Sequence, residues 1–232
     1  MSESPARAEI EPMQLQIVGL QATAMLRTNF AVQHMLAAAR FSRRVADIER
    51  ENAGKDFGEF WEEILHQSSA CVFTAAASLE SYANELFFER QTAFPGFASE
   101  LLDKLWETFE QKPTLEKFEF ALLLRGKPQF VKGARPYQDV AAVIELRNAL
   151  THFKPEWDAL AVRHRKISDR LQNRFSPSPF LNDELIFPRR WATHGCTKWA
   201  VEQCLDFAEE FESRAELPPK YIRGSAPEKY TA

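Results

Sequence analysis

The stretch that decides the fold is FGEFWEEILHQSSACVFTAAASLESYANELFFERQ, Phe57 to Gln91. Within it Trp61, Leu65, Ser68, Val72, Ala75, Leu79, Tyr82 and Leu86 recur at alternating steps of four and three residues. At about 100° per residue those steps gather side chains into one stripe of a helix, whereas a strand would send neighbouring residues to opposite faces. A stripe this long reads as the seam of a helical bundle.

The same period continues on both sides. From about Met13 to Asn52, Val18, Ala22, Met25, Val32, Leu36 and Ala39 share a stripe, with Pro12 before it, Gly19 as a weak point and Ala53-Gly54 at its end. Beyond the Pro95-Gly96 break, Phe97 to Glu110 and Leu115 to Leu124 read as shorter helices parted by Lys112-Pro113-Thr114, and Gly126 to Gly133 as loop. A helix from Pro136 to Phe153 ends before Pro155, because the residue preceding a proline is pushed out of the helical region. Pro155 can open the next helix, about Glu156 to Phe175. The segment Ser176 to Arg190 has three prolines and the run Phe-Leu-Asn-Asp-Glu-Leu-Ile-Phe, read as a short β-hairpin around Asn182-Asp183, near residues 179–188. A last helix, about Thr193 to Glu216, puts Cys196, Ala200, Cys204, Phe207 and Phe211 on one face and stops at Pro218-Pro219. The fold class expected is all-α, a single multi-helix bundle over residues 13–217, with a flexible N-terminus (1–12) and a tail that frays from Lys220 (218–232).

Composition narrows the function. The chain has 232 residues, 29 Lys and Arg against 33 Asp and Glu, and a formal charge of -4, so attraction to nucleic acid or anionic lipid must use a local patch. Three cysteines without a CxxC pair favour a reducing cytoplasm. No basic-then-apolar leader opens the sequence and no apolar window approaches a membrane span, so no membrane partner is expected. Phosphate-binding, dinucleotide-binding, esterase-elbow and zincin motifs are absent from the sequence.

Most informative chemically is Ile144-Glu145-Leu146-Arg147-Asn148-Ala149-Leu150-Thr151-His152-Phe153, where Arg, Asn and His interrupt an apolar helix. Asn148 and His152 lie one turn apart, with Arg147 about 100° round from Asn148. An Arg and a His supply what RNA cleavage without a metal needs: a cation for charge on the phosphorus oxygens and a group that moves the 2′-hydroxyl proton. His152, in the last turn before Pro155, is biased by the helix dipole toward its protonated form, which suits an acid better than a base, so its role is proton transfer in an unassigned direction.

The run Arg147-Asn148-Ala149-Leu150-Thr151-His152 resembles the R-N-x-x-x-H signature of the HEPN superfamily, and Ala75 to Glu89 resembles its earlier helix, with Glu80 and Asn84 as the acid and Asn four apart. The resemblance covers roughly residues 57–175. It implies a HEPN-like bundle, and metal-independent endoribonuclease activity of the kind found in toxin–antitoxin and phage-defence systems. It also implies a homodimer with Arg147 and His152 at a two-fold interface, RNA as partner, and a cognate antitoxin or regulatory protein. Arg147 would neutralise the scissile phosphate, His152 would transfer a proton, and Asn148 with Glu80 would orient them; no cofactor and no metal ligand enter. Lys154 stands where the family motif is often extended by a Tyr, so regulation through that Tyr has no residue here.

A structural reading of the same residues stays open: Arg147 paired with Glu80 or Glu145, Asn148 bridging helices, and the chain a non-catalytic interaction module or a regulatory partner in a defence system. Exposure separates the two. An enzyme needs Arg147 and His152 reachable from solvent beside positive charge, and a module has both buried and paired. Downstream, Arg163, Lys166, Arg170 and Arg174, with Arg165 beside them, form a basic stripe that is either an RNA track or a solvated face with partners such as Asp169. His164 falls on the stripe of Trp157, Leu160, Ile167 and Leu171 and reads as a core histidine, and the three cysteines read as core thiols. His194 and Cys196 lack the companions of a zinc site.

Overall fold

The computed structural model describes residues 28–157, 160–182, 184–222 and 227–232. Its helices are α1 (Ala31–Glu51), α2 (Phe60–Phe88), α3 (Arg90–Ala93), α4 (Ser99–Phe109), α5 (Thr114–Leu124), α6 (Tyr137–Thr151), α7 (Val162–Leu171), α8 (His194–Ala215) and α9 (Pro227–Tyr230). Among the described residues there is no strand, and the chain is an all-α helical bundle. None of these helices is long and apolar enough to cross a membrane.

The seam of α2 is in the core from Trp61 to Leu86 except for half-buried Leu65. Ile64, Cys71, Ala83 and Phe87, off that stripe, are buried too, because α2 packs against α1, α5, α6 and α8. A helix buried on so much of its circumference is the central post of the bundle. Tyr82 lies edge-on to Phe118, Phe211 and Tyr221 at centroid separations of 5.6, 6.0 and 5.9 Å, the arrangement that aligns the positive rim of one ring with the negative face of the next. The apolar face of α8 is buried as expected; its Cys196 and Cys204, and Cys71 of α2, are buried free thiols. Burial pushes all three up, Cys204 to about 12, which leaves them as inert core groups.

Several expected boundaries move. The helix read from Met13 starts at Ala31 within the described residues; Val18, Ala22 and Met25 lie outside them. Phe30 and Ala31 donate their backbone N–H groups to Glu85 Oε1 of α2 at 2.7 and 2.9 Å, so a carboxylate distant in sequence caps α1. At the other end Gly54 adopts φ 78°, a left-handed turn that glycine reaches without a Cβ clash. The helix placed from Glu156 to Phe175 runs only from Val162 to Leu171, since Glu156 serves as its cap: the carboxylate accepts the N–H groups of Arg163 (2.9 Å) and His164 (3.1 Å).

No hairpin forms among the described residues of 176–190; Asp183 of the expected turn lies outside them. Pro177, Pro179 and Pro188 carry no N–H for a ladder. Phe187 and Trp191 instead turn inward, 2% and 0% exposed, and only Ser178 N–H to Arg190 O (2.8 Å) links the two arms. The tail also departs from expectation at its start. Tyr221 is 1% exposed, its hydroxyl shares a 2.8 Å hydrogen bond with Ser78, and the Lys220 N–H donates to Glu212 at 2.7 Å. Burial of this large ring stabilises the start of the tail.

Glu212 is 3% exposed, and burial raises its pKa against the lowering effect of the Lys220 N–H. A carboxyl that binds its proton more tightly when folded lends stability at low pH, and loses it as pH rises through the interval from the unfolded to the raised folded value. Glu212→Gln is therefore expected to raise the melting temperature relative to wild type more at pH 7 than at pH 4. Melting curves at both values check this; a larger gain at pH 4 would reverse the sign.

Candidate functional site

Helix α6 carries the polar motif between two cavities. On the flank facing α2, Arg147 and Thr151 line a cavity of about 400 Å³ with Phe73, Ala77, Glu80 and Ser81. On the flank facing α7, His152 lines one of about 320 Å³ with Lys154, Arg163, Lys166 and Phe187 among its neighbours. The two share no lining residue. Five residues of helix turn side chains by about 140°, which is why Arg147 and His152 look to different flanks.

Neither side chain forms an ion pair among the described residues. Arg147 is half-buried, its Nε is buried without a hydrogen-bond partner, and no carboxylate lies within ion-pair distance among the described residues. His152 is exposed at the C-cap of α6, tied there only by its backbone N–H to Asn148 O at 2.9 Å. Asn148 is exposed as well.

Glu80 shares the Arg147 cavity, as the motif reading required, but its oxygens are held from below. Lys117 Nζ donates to Oε1 at 2.8 Å and Thr114 Oγ1 to Oε2 at 2.5 Å. Burial alone would raise the Glu80 pKa; the hydrogen bonds from Lys117 and Thr114, with the charges of Lys117 and Arg147, outweigh it and keep the carboxylate below its usual value. Lys117 is 2% exposed, also donates to Asn84 Oδ1 at 3.1 Å, and its ammonium stands 5.5 Å from the Trp106 ring centroid. Sequence reading missed Lys117. The one available signal was a lysine amid Leu115, Phe118 and Ala121 on the buried side of α5, which asks for a buried partner.

The basic stripe divides in two. Arg170 pairs with Glu145 at 3.1 Å. Arg174 pairs with Asp139, donates to Arg170 O at 2.6 Å and faces the Trp199 ring. Burial, then the charge of Arg135, lowers the Arg174 pKa. The C-terminal end of α7, with Arg174 just beyond it, thus spends its charge on α6 and α8, and the expected track does not extend along it. Its N-terminal half differs: Arg163, Arg165 and Lys166, with Lys154 before them, are exposed and form no ion pair among the described residues. His164 is a core residue as expected, 4% exposed, with Nε2 3.0 Å from Lys154 O and its ring beside Phe153 and Phe187.

Among the described residues no three His, Cys, Asp or Glu side chains converge as a metal site. Compared with protein-family models, curated proteins and solved structures, the chain matches none.

Proposed function

We propose that this chain is a HEPN-like RNA-binding protein that cleaves RNA by metal-independent proton transfer, in a toxin or phage-defence setting in the cytoplasm. The observation that carries the reading is that Arg147 and His152 each line a cavity and form no ion pair among the described residues, with three cations in the same condition, Lys154, Arg163 and Lys166, lining the His152 cavity. In the reaction the 2′-oxygen attacks phosphorus and the bond to the 5′-oxygen breaks, leaving a 2′,3′-cyclic phosphate and a 5′-hydroxyl. His152 takes the 2′-hydroxyl proton or delivers one to the departing oxygen. Arg147, which shares its cavity with the Glu80 carboxylate, neutralises the charge on the non-bridging oxygens. Since the two cavities flank α6 separately, the reading includes a homodimer in which the motif of a second copy completes the cleft. The interaction-module alternative, including a regulatory partner of a defence system, draws on the separation of the two cavities.

Cleavage of a labelled mixed-sequence RNA in EDTA by wild type, Arg147→Ala and His152→Ala, each checked for native helicity, tests the proposal. Activity is expected in the wild type and lost in both variants; an inactive wild type, or variants that cut equally well, would favour the module. Binding gives a second prediction. The triple variant Lys154→Ala, Arg163→Ala, Lys166→Ala is expected to bind RNA more weakly and to flatten the dependence of log affinity on log salt by about one per lost phosphate contact. Fluorescence anisotropy across a salt series reads both effects, and an unchanged slope would remove these residues from the interface.

A further inference from the structure

Trp157 is 84% exposed, the largest exposure of any bulky apolar side chain in the described residues. Trp61, Trp191 and Trp199 are buried and Trp106 packs partly against the core, so this ring alone among the tryptophans stands in solvent. Phe153, Leu160 and Val162 beside it in the chain are 48%, 74% and 76% exposed. Bulky apolar groups gathered in water mark a contact surface.

Hydrogen bonds tie described residues on either side of the ring. Glu156 caps the start of α7 through the Arg163 and His164 N–H groups, Lys154 O accepts from His164 Nε2, and Leu160 N–H donates to Trp157 O at 2.8 Å. In sequence Trp157 lies between Lys154 and Arg163, two of the cations that line the His152 cavity. Residues 152–166 contain Lys154, Arg163, Arg165 and Lys166 against Glu156 and Asp158, and Glu156 is committed to its cap. An exposed aromatic face beside cations that form no ion pair among the described residues is complementary to a nucleobase joined to phosphates, because every base has a π face while the backbone supplies the negative charge.

We infer that Trp157 is a stacking platform for an unpaired nucleobase, adjacent to the phosphate-binding cations Lys154 and Arg163. The inference rests on the RNA reading of the His152 cavity and adds to it a subsite that grips one base by its face. It gives a use to a bulky ring left in solvent when inward burial would stabilise the fold.

The experiment uses the full chain and a short, unstructured 2′-O-methyl RNA, which lacks the nucleophilic hydroxyl and so reports binding alone. Anisotropy and intrinsic tryptophan emission are followed together. Wild type is expected to bind with quenching of solvent-exposed tryptophan emission. Trp157→Ala is expected to weaken binding about tenfold and abolish the quenching, while Trp157→Phe keeps most of the affinity. Equal affinity for Trp157→Ala and wild type, with the lysine–arginine triple variant still impaired, overturns the platform and leaves the RNA reading intact. Trp157→Leu binding as well as Trp157→Phe overturns it too, since leucine offers bulk without a π face. If wild type binds no RNA, the RNA reading fails and the platform falls with it, leaving the apolar patch to a protein partner.

Discussion

Arg147→Ala is expected to reduce EDTA-resistant RNA cleavage by about a hundredfold or more, the loss that follows removal of one preorganised group facing transition-state charge. Three features support so large an effect. The guanidinium is half-buried, so water screens it poorly. Its Nε has no partner to be traded for substrate, and Glu80 supplies opposite charge from the same cavity. His152→Ala is expected to lose a similar factor, as general acid–base groups contribute about 10² to 10⁴. Residues that act on one transition state are not additive, so the double variant should fall little below either single one. Single-turnover rates for the three variants check this; multiplication of the two losses would mean the residues act in separate events.

The second large effect is on stability. Glu80→Gln leaves the Lys117 ammonium, 2% exposed, without its carboxylate. Breaking a buried pair from one side typically costs about 3 to 5 kcal/mol; with the Glu80 side chain 40% exposed, about 2 kcal/mol is expected. Lys117→Met removes the buried charge with its partner's obligation and is expected to cost less, because an apolar side chain of similar length suits the site. The pH dependence has a defined sign. Glu80's pKa is depressed in the folded state, so its contribution is present above the unfolded value and is lost as pH falls through the depressed one. The gap between wild type and Glu80→Gln should therefore close in acid. Urea unfolding at neutral and acidic pH measures both; a costlier Lys117→Met, or a gap that widens in acid, would contradict the network.

The seam of α2 and the apolar face of α8 were legible because a 3.6-residue period survives any arrangement of neighbours. What escaped depends on partners far away in the chain. Glu85 capping α1, Tyr221 reaching Ser78 and Lys117 meeting Glu80 join residues 54, 143 and 37 positions apart, and nothing local to one end reveals the other. The hairpin expected at residues 179–188 shows the converse: a run of large apolar residues around an Asn-Asp turn suggested strands, and the burial of Phe187 and Trp191 prevailed. The motif residues themselves were visible in sequence, whereas their division between two cavities follows from how α2 and α7 flank α6.

The chemical ends of the fragments made from a defined RNA by the wild-type chain in EDTA test the central claim most directly. Attack by the 2′-oxygen predicts 2′,3′-cyclic phosphate and 5′-hydroxyl ends, absent when Arg147 or His152 is replaced. Fragments with 3′-hydroxyl and 5′-phosphate ends, or cleavage that survives both replacements, would contradict it.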